Sequence, residues 1–123
     1  MNKEQIDLLG EYIKAGKSAV LIEEIPKSVI EKGAIVINSD CSNSELMGHY
    51  DKLVESSKTH IPVLIIKDIN KVSEEEQRKF IEILKYKKVY VNKIPENCMI
   101  FVTYPDLKEN PIEEEVYSFM AHI

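Results

Sequence analysis

The chain has 123 residues, enough for one domain spanning residues 1–123 with a core of its own. Apolar residues make up 44% and charged residues 30%, which excludes a disordered chain. No apolar run reaches the ~18 residues that a membrane helix needs. A net charge of −5 without a long Lys/Arg cluster argues against direct nucleic-acid binding. Polar Asn2, Lys3, Glu4 and Gln5 follow Met1, unlike a secretory signal, so the expected compartment is the cytoplasm. Cys41 and Cys98 are then expected as buried, unpaired thiols. His49, His60 and His122 share no metal-ligand spacing with each other or with the cysteines, and no metal is expected.

A first helix is expected from Asn2, which with Gln5 makes a capping box, to Gly16, with Ile6, Leu9 and Ile13 on its apolar face. Ala19 to Ile22 is a continuous apolar run, the pattern of a strand buried on both faces. A loop over Glu23 to Lys27 leads to a short helical turn that stops near Gly33, and Ala34 to Ile37 is a second buried strand. Asp40, Ser42 and Asn43 are capping residues for a helix to about Ser57, with Leu46, Tyr50, Leu53 and Val54 on one face. Pro62 opens the strongest strand, Val63 to Ile66, which ends in Lys67-Asp68.

Ser73-Glu74-Glu75-Glu76 is a capping box with acids at the positive end of the helix dipole. The helix it opens carries Phe80, Ile81 and Leu84 inward. Glu74 with Arg78, and Glu75 with Lys79, are spaced for i,i+4 pairs. Lys85, Lys87 and Lys88 fall at its end, where positive charge favours the dipole. Val89 to Val91 reads as a short β segment and Met99 to Val102 as another buried strand. Asn110-Pro111-Ile112-Glu113 is expected to open a last helix, with Pro111 in its first turn. Buried strands alternating with helices predict an α/β three-layer sandwich with a mainly parallel sheet. In such sheets ligands bind beyond the carboxyl ends of the strands, here Glu23-Glu24, Asn38-Ser39-Asp40, Lys67-Asp68 and Thr103-Tyr104.

This order, and the run from Pro62 to Thr103, resemble the core of an AAA+ P-loop ATPase of the MoxR or clamp-loader-subunit kind, without its C-terminal lid domain. Val63 to Asp68 resembles the Walker B strand, and Ile69-Asn70-Lys71-Val72 its continuation. Ser73 to Leu84 resembles the helix that follows. Lys88 to Val91 and Ile94 to Asn97 are similar to the hairpin and segment before the sensor-1 strand, Met99 to Thr103. Ala19 to Ile22 would be the P-loop strand, Ser44 to Gly48 resembles the segment after the second strand, and Glu115 to Ile123 the segment that ends in the arginine finger. The resemblance implies a reduced, P-loop-NTPase-like fold.

The phosphate-handling positions depart from the family pattern. A P-loop needs glycines between strand and helix so that backbone N–H groups can wrap phosphate. Glu23-Glu24-Ile25-Pro26-Lys27-Ser28 has Lys27-Ser28 but no glycine, and its two carboxylates repel phosphate. Gly16-Lys17-Ser18 precedes its strand instead of following it. Lys67 stands at the Mg²⁺-binding Asp and Asp68 at the catalytic Glu. Tyr104-Pro105 follows Thr103 where an Asn is expected, and Ser118-Phe119 replaces Arg-Phe.

Phosphoryl transfer depends on charges placed around the γ-phosphate. The positions Lys27, Ser28, Lys67, Asp68 and Thr103 are therefore expected as degenerate remnants, with no catalytic residue and no cofactor. The expected function is a non-catalytic protein-binding or regulatory module, acting on an ATPase or a replication or remodelling partner. By the resemblance, the partner would meet Tyr104, Asp106, Lys108 and Ser118. One alternative is a weak nucleotide binder or ATPase using Lys27-Ser28 and Asp68. Another is an acidic inhibitor imitating DNA, drawing on Glu74-Glu75-Glu76 and Glu113-Glu114-Glu115.

Overall fold

The computed structural model describes residues 3–4, 19–22, 25, 27, 33–95, 98–104 and 111–122. The expected first helix and the turn before Gly33 fall almost wholly outside the described residues. Gly33 itself has φ +90°, a left-handed conformation suited to glycine, just before the chain enters its second strand.

The elements run β1 (Ala19–Ile22), β2 (Ile35–Asn38), α1 (Asn43–Ser57), β3 (Val63–Lys67), a 3-10 turn (Ile69–Lys71), α2 (Glu74–Gln77), β4 (Lys88–Val89), β5 (Asn92–Lys93), β6 (Met99–Thr103), α3 (Glu114–Ser118) and β7 (Ala121–His122). The main sheet has the order β2-β3-β6-β1-β7, and every pairing in it is parallel. β4 and β5 form a separate antiparallel hairpin. The fold is α/β with a parallel sheet, compatible with a three-layer sandwich.

Register explains the continuous apolar runs. Leu21, Ile37, Ile66 and Val102 point to one face, where they pack with Leu46 and Leu53 of α1 and with Phe80, Ile83, Leu84 and Val116. Val20, Ile22, Ile65, Met99 and Phe101 point to the other face and pack with Ile25. A strand buried on both faces has no polar side to show, so alternation vanishes. Among the described residues β2 lies at an edge with one neighbour, and its Ile35 and Val36 are only half-buried.

Ser42 caps α1. Its hydroxyl accepts the Glu45 N–H at 3.1 Å, and the Glu45 carboxylate accepts the Ser42 N–H at 3.2 Å. Each cap of this kind is worth about 1 kcal/mol. Ser73 caps α2 by accepting the Glu76 N–H at 3.3 Å, but the Glu76 side chain meets the Ser73 hydroxyl rather than its backbone.

The regular helix expected after Ser73 is corrected by the structure. α2 tightens into a 3-10 turn (Arg78–Phe80) and then widens into a π turn (Glu82–Tyr86). The i,i+4 pairs do not form there. Arg78 instead bridges Glu113 at 3.1 Å and Glu115 at 2.9 Å, and the Lys79 ammonium donates to the Cys41 carbonyl at 2.8 Å. Tertiary partners outcompete the local pairs, which are worth only ~0.2–0.5 kcal/mol each. At the helix end Lys87 Nζ does donate to the Leu84 carbonyl at 2.9 Å, as a cation in a last turn should.

Two further expectations are corrected. Val89 to Val91 is not one strand: Val89 ends β4, and Tyr90 and Val91 make the turn into β5. The last helix starts at Glu114, with Glu113 as its cap, and Pro111 lies before it in non-helical chain. Buried Gln77 holds that stretch in place. Its Nε2 donates to the carbonyls of Val72 at 3.1 Å and Pro111 at 2.9 Å, and its Oε1 accepts the Glu113 N–H at 2.7 Å.

Candidate functional site

The carboxyl ends of β2, β3 and β6 lie side by side. Their polar residues are joined by hydrogen bonds. Ser39, fully buried just past β2, donates its N–H to the Lys67 carbonyl at 3.2 Å and its hydroxyl to the Asp68 carbonyl at 2.6 Å. Asp68, just past β3, donates its N–H to Thr103 Oγ1 at 2.8 Å. The Thr103 hydroxyl, at the end of β6, donates in turn to Asp68 Oδ1 at 3.4 Å.

Asp68 has φ 56° and ψ 57°, left-handed backbone that aspartate tolerates better than most residues. That conformation turns the chain sharply out of the sheet. The Asp68 carbonyl then accepts the Lys71 N–H at 3.0 Å and closes the following turn. Ile69 and Asn70 are buried by it. Exposed Lys71 pairs with exposed Asp40 at 3.4 Å, a contact of little energetic weight.

Of the expected positions, the structure brings Lys67, Asp68 and Thr103 to one edge. Lys67 is exposed, Asp68 half-buried and Thr103 buried. Lys27 is exposed, and Ser28 lies outside the described residues. Tyr104 is half-buried against the core cluster on the α1 face. Ser118 is exposed and donates to the Glu115 carbonyl at 2.6 Å. Asp106 and Lys108 lie outside the described residues.

Asp68 is turned back onto Thr103 of the neighbouring strand, and the exposed Lys67 beside it carries an ammonium, which cannot ligate a metal. Ser39, which completes the hydrogen-bonded chain, was visible only as one letter of a polar strand end. Its buried role depends on a carbonyl 29 residues away.

Both cysteines are buried and unpaired. Burial pushes the Cys98 thiol up to about 12 against a smaller opposing pull from Lys87. Burial raises Cys41 as well, with Lys79 opposing. Neither thiol has the lowered value of a reactive cysteine.

A concave feature apart from this edge lies on the α1 face. A cleft of about 200 Å³ is bounded by Asn43 and Leu46 of α1, by Lys79, Glu82 and Ile83, and by Lys88, Val89 and Tyr90 of the hairpin. Among the described residues, no helix is long and apolar enough to cross a membrane. Comparison with known proteins finds no family model and no curated protein that matches this chain.

Proposed function

We propose that this chain is a non-catalytic domain built on an AAA+-like core, and that it works by binding another protein. The observation that carries the reading is the closed Ser39–Asp68–Thr103 chain of hydrogen bonds at the sheet edge. In an active phosphoryl-transfer site these strand ends present charge to phosphate and metal. Here their polar groups fasten β2, β3 and β6 to one another. The neighbouring placement of β1, β6 and β3, the strands likened to the P-loop, sensor-1 and Walker B strands, supports the AAA+-like part of the proposal.

The partner is expected to be an ATPase or a replication or remodelling protein in the cytoplasm, in line with two unpaired cysteines. The acidic runs favour this reading over imitation of DNA, because Glu76 meets the Ser73 cap while Glu113 and Glu115 hold Arg78.

A nucleotide titration tests the proposal. A ligand at 100 times its Kd stabilises a fold by about 2.7 kcal/mol, a readily measured rise in Tm. No rise with millimolar Mg²⁺-ATP or Mg²⁺-ADP, and no ATP turnover, are expected. A rise lost in Lys27→Ala, or turnover lost in Asp68→Ala, would establish the nucleotide-binding alternative instead.

A further inference from the structure

The β4–β5 hairpin breaks the local rules of hairpin construction. Its turn is Tyr90-Val91, and Tyr90 has φ 56°. A two-residue hairpin turn with positive φ favours Gly, Asn or Asp, and an aromatic residue there is strained. Among the described residues that choice is repaid by little burial: Tyr90 is 44% exposed and Val91 87% exposed, with Tyr86 beside the hairpin at 59%. Lys88 and Lys93 stand directly opposite each other in the ladder, and like charges in that position repel.

The base of the hairpin is nonetheless firmly held. Val89 and Ile94 are buried, the Ile94 N–H donates to the Lys87 carbonyl at 2.8 Å, and the Tyr50 hydroxyl of α1 donates to the Lys93 carbonyl at 3.0 Å. A well-held base thus presents a strained, apolar Tyr90-Val91 tip flanked by Lys88 and Lys93. Residues that break a local rule without structural gain mark functional positions.

Charge indicates what the tip meets. From Arg78 to Lys93 the chain carries six basic residues and one acid, Glu82, in a protein of net −5. Lys85 lies over the Tyr86 and Phe119 rings, Lys87 caps Leu84, Lys79 donates to the Cys41 carbonyl and Arg78 pairs with Glu113 and Glu115, so these four are engaged within the fold and Lys88 and Lys93 remain. Lys79 and Lys88 line the cleft beside Tyr90, whose apolar wall is Leu46, Ile83 and Val89.

We infer that the hairpin and this cleft form a docking site for an acidic segment of a partner protein. An apolar side chain of that segment enters the cleft against Leu46, Ile83 and Val89. Its carboxylates meet Lys88 and Lys93, which relieves the Lys88–Lys93 repulsion. Tyr90 and Val91 pack over it, and aromatic residues at such positions carry much of an interface's energy. Glu82 in the cleft wall repels the acidic segment and also disfavours the phosphates of a nucleic acid. This inference rests on the protein-binding reading above and names the surface it uses.

Fluorescence anisotropy with the full chain tests it. The probe is a short fluorescein-labelled peptide with a central leucine flanked by aspartates. Saturable binding is expected, weakening with added salt. Tyr90→Gly and Lys88→Glu should each weaken it by about fivefold or more, and Glu82→Gln should strengthen it. Tyr90→Gly relieves the left-handed strain, so its Tm should equal or exceed the parent's while binding falls. A merely structural tyrosine would not produce that combination.

The inference is overturned by any of four results: no saturable binding, equal binding of a peptide with lysines in place of the aspartates, parental affinity in Tyr90→Gly, or tighter binding of oligothymidylate. If the peptide fails and Mg²⁺-ATP leaves Tm unchanged, the hairpin site alone is lost. If Mg²⁺-ATP raises Tm, the underlying protein-binding reading fails.

Discussion

Gln77 Oε1 accepts the backbone N–H of Glu113 at 2.7 Å, across 36 residues of sequence. The same fully buried amide also holds the carbonyls of Val72 and Pro111, so one side chain pins the C-terminal segment to α2. Gln77→Leu keeps the bulk but leaves these backbone groups without their partners. A buried polar group left unsatisfied costs about 1–3 kcal/mol, so the variant should lose about 2 kcal/mol or more. Urea unfolding measures this, and an unchanged midpoint would contradict the role given to Gln77.

Thr103→Val tests the latch at the sheet edge. Valine fits the strand but offers no acceptor for the Asp68 N–H and no donor for Asp68 Oδ1. A loss of about 1–2 kcal/mol is expected, with faster hydrogen exchange at the Asp68 amide. Thr103→Ser should restore most of the protection.

The Glu113 carboxylate lies below its ordinary value of 4.5, chiefly because it accepts the Val116 N–H at 3.0 Å, with Arg78 adding to the effect. The unfolded chain therefore takes up this proton at a higher pH than the folded chain. The contribution is fully present above pH 4.5 and fades as pH falls through the lowered folded value. Denaturant midpoints measured from pH 6 downward should fall more steeply in the parent than in Glu113→Gln. Parallel curves would exclude the linkage.

The Cys98 thiol has the opposite sign. Its folded value of about 12 lies above the ordinary 9.0, so the unfolded chain loses the proton first. This contribution is intact below pH 9 and is lost progressively as pH rises from there toward 12. At pH 8 iodoacetamide should leave Cys98 of the folded chain unlabelled and modify it once urea unfolds the protein. Mass spectrometry reads both states, and rapid labelling of the folded chain would contradict the buried assignment.

Much of the sheet was legible in the residues. Val63 to Ile66 and Met99 to Val102 are apolar at every position, and such short runs between polar ends become strands buried on both faces. The Ser73 cap was legible because a cap and its partner lie three residues apart, whereas Ser42 stood as one of three candidates with Asp40 and Asn43 until the structure chose it. At the candidate edge, Lys67, Asp68 and Thr103 could be named as strand-end residues, but their bonds could not.

What only the tertiary structure decided are the relations between residues distant in sequence. The strand order, the Thr103–Asp68 pair 35 residues apart and the choice of Glu113 and Glu115 by Arg78 depend on where the sheet carries each segment. The same holds for the late start of α3, set by Gln77, and for the two-residue β7 beside β1, too short to carry a periodic pattern. Local periodicity reports which side of an element is apolar. It carries no information about which distant polar group will be the partner, because that depends on chain topology and on competition among hydrogen bonds in the finished fold.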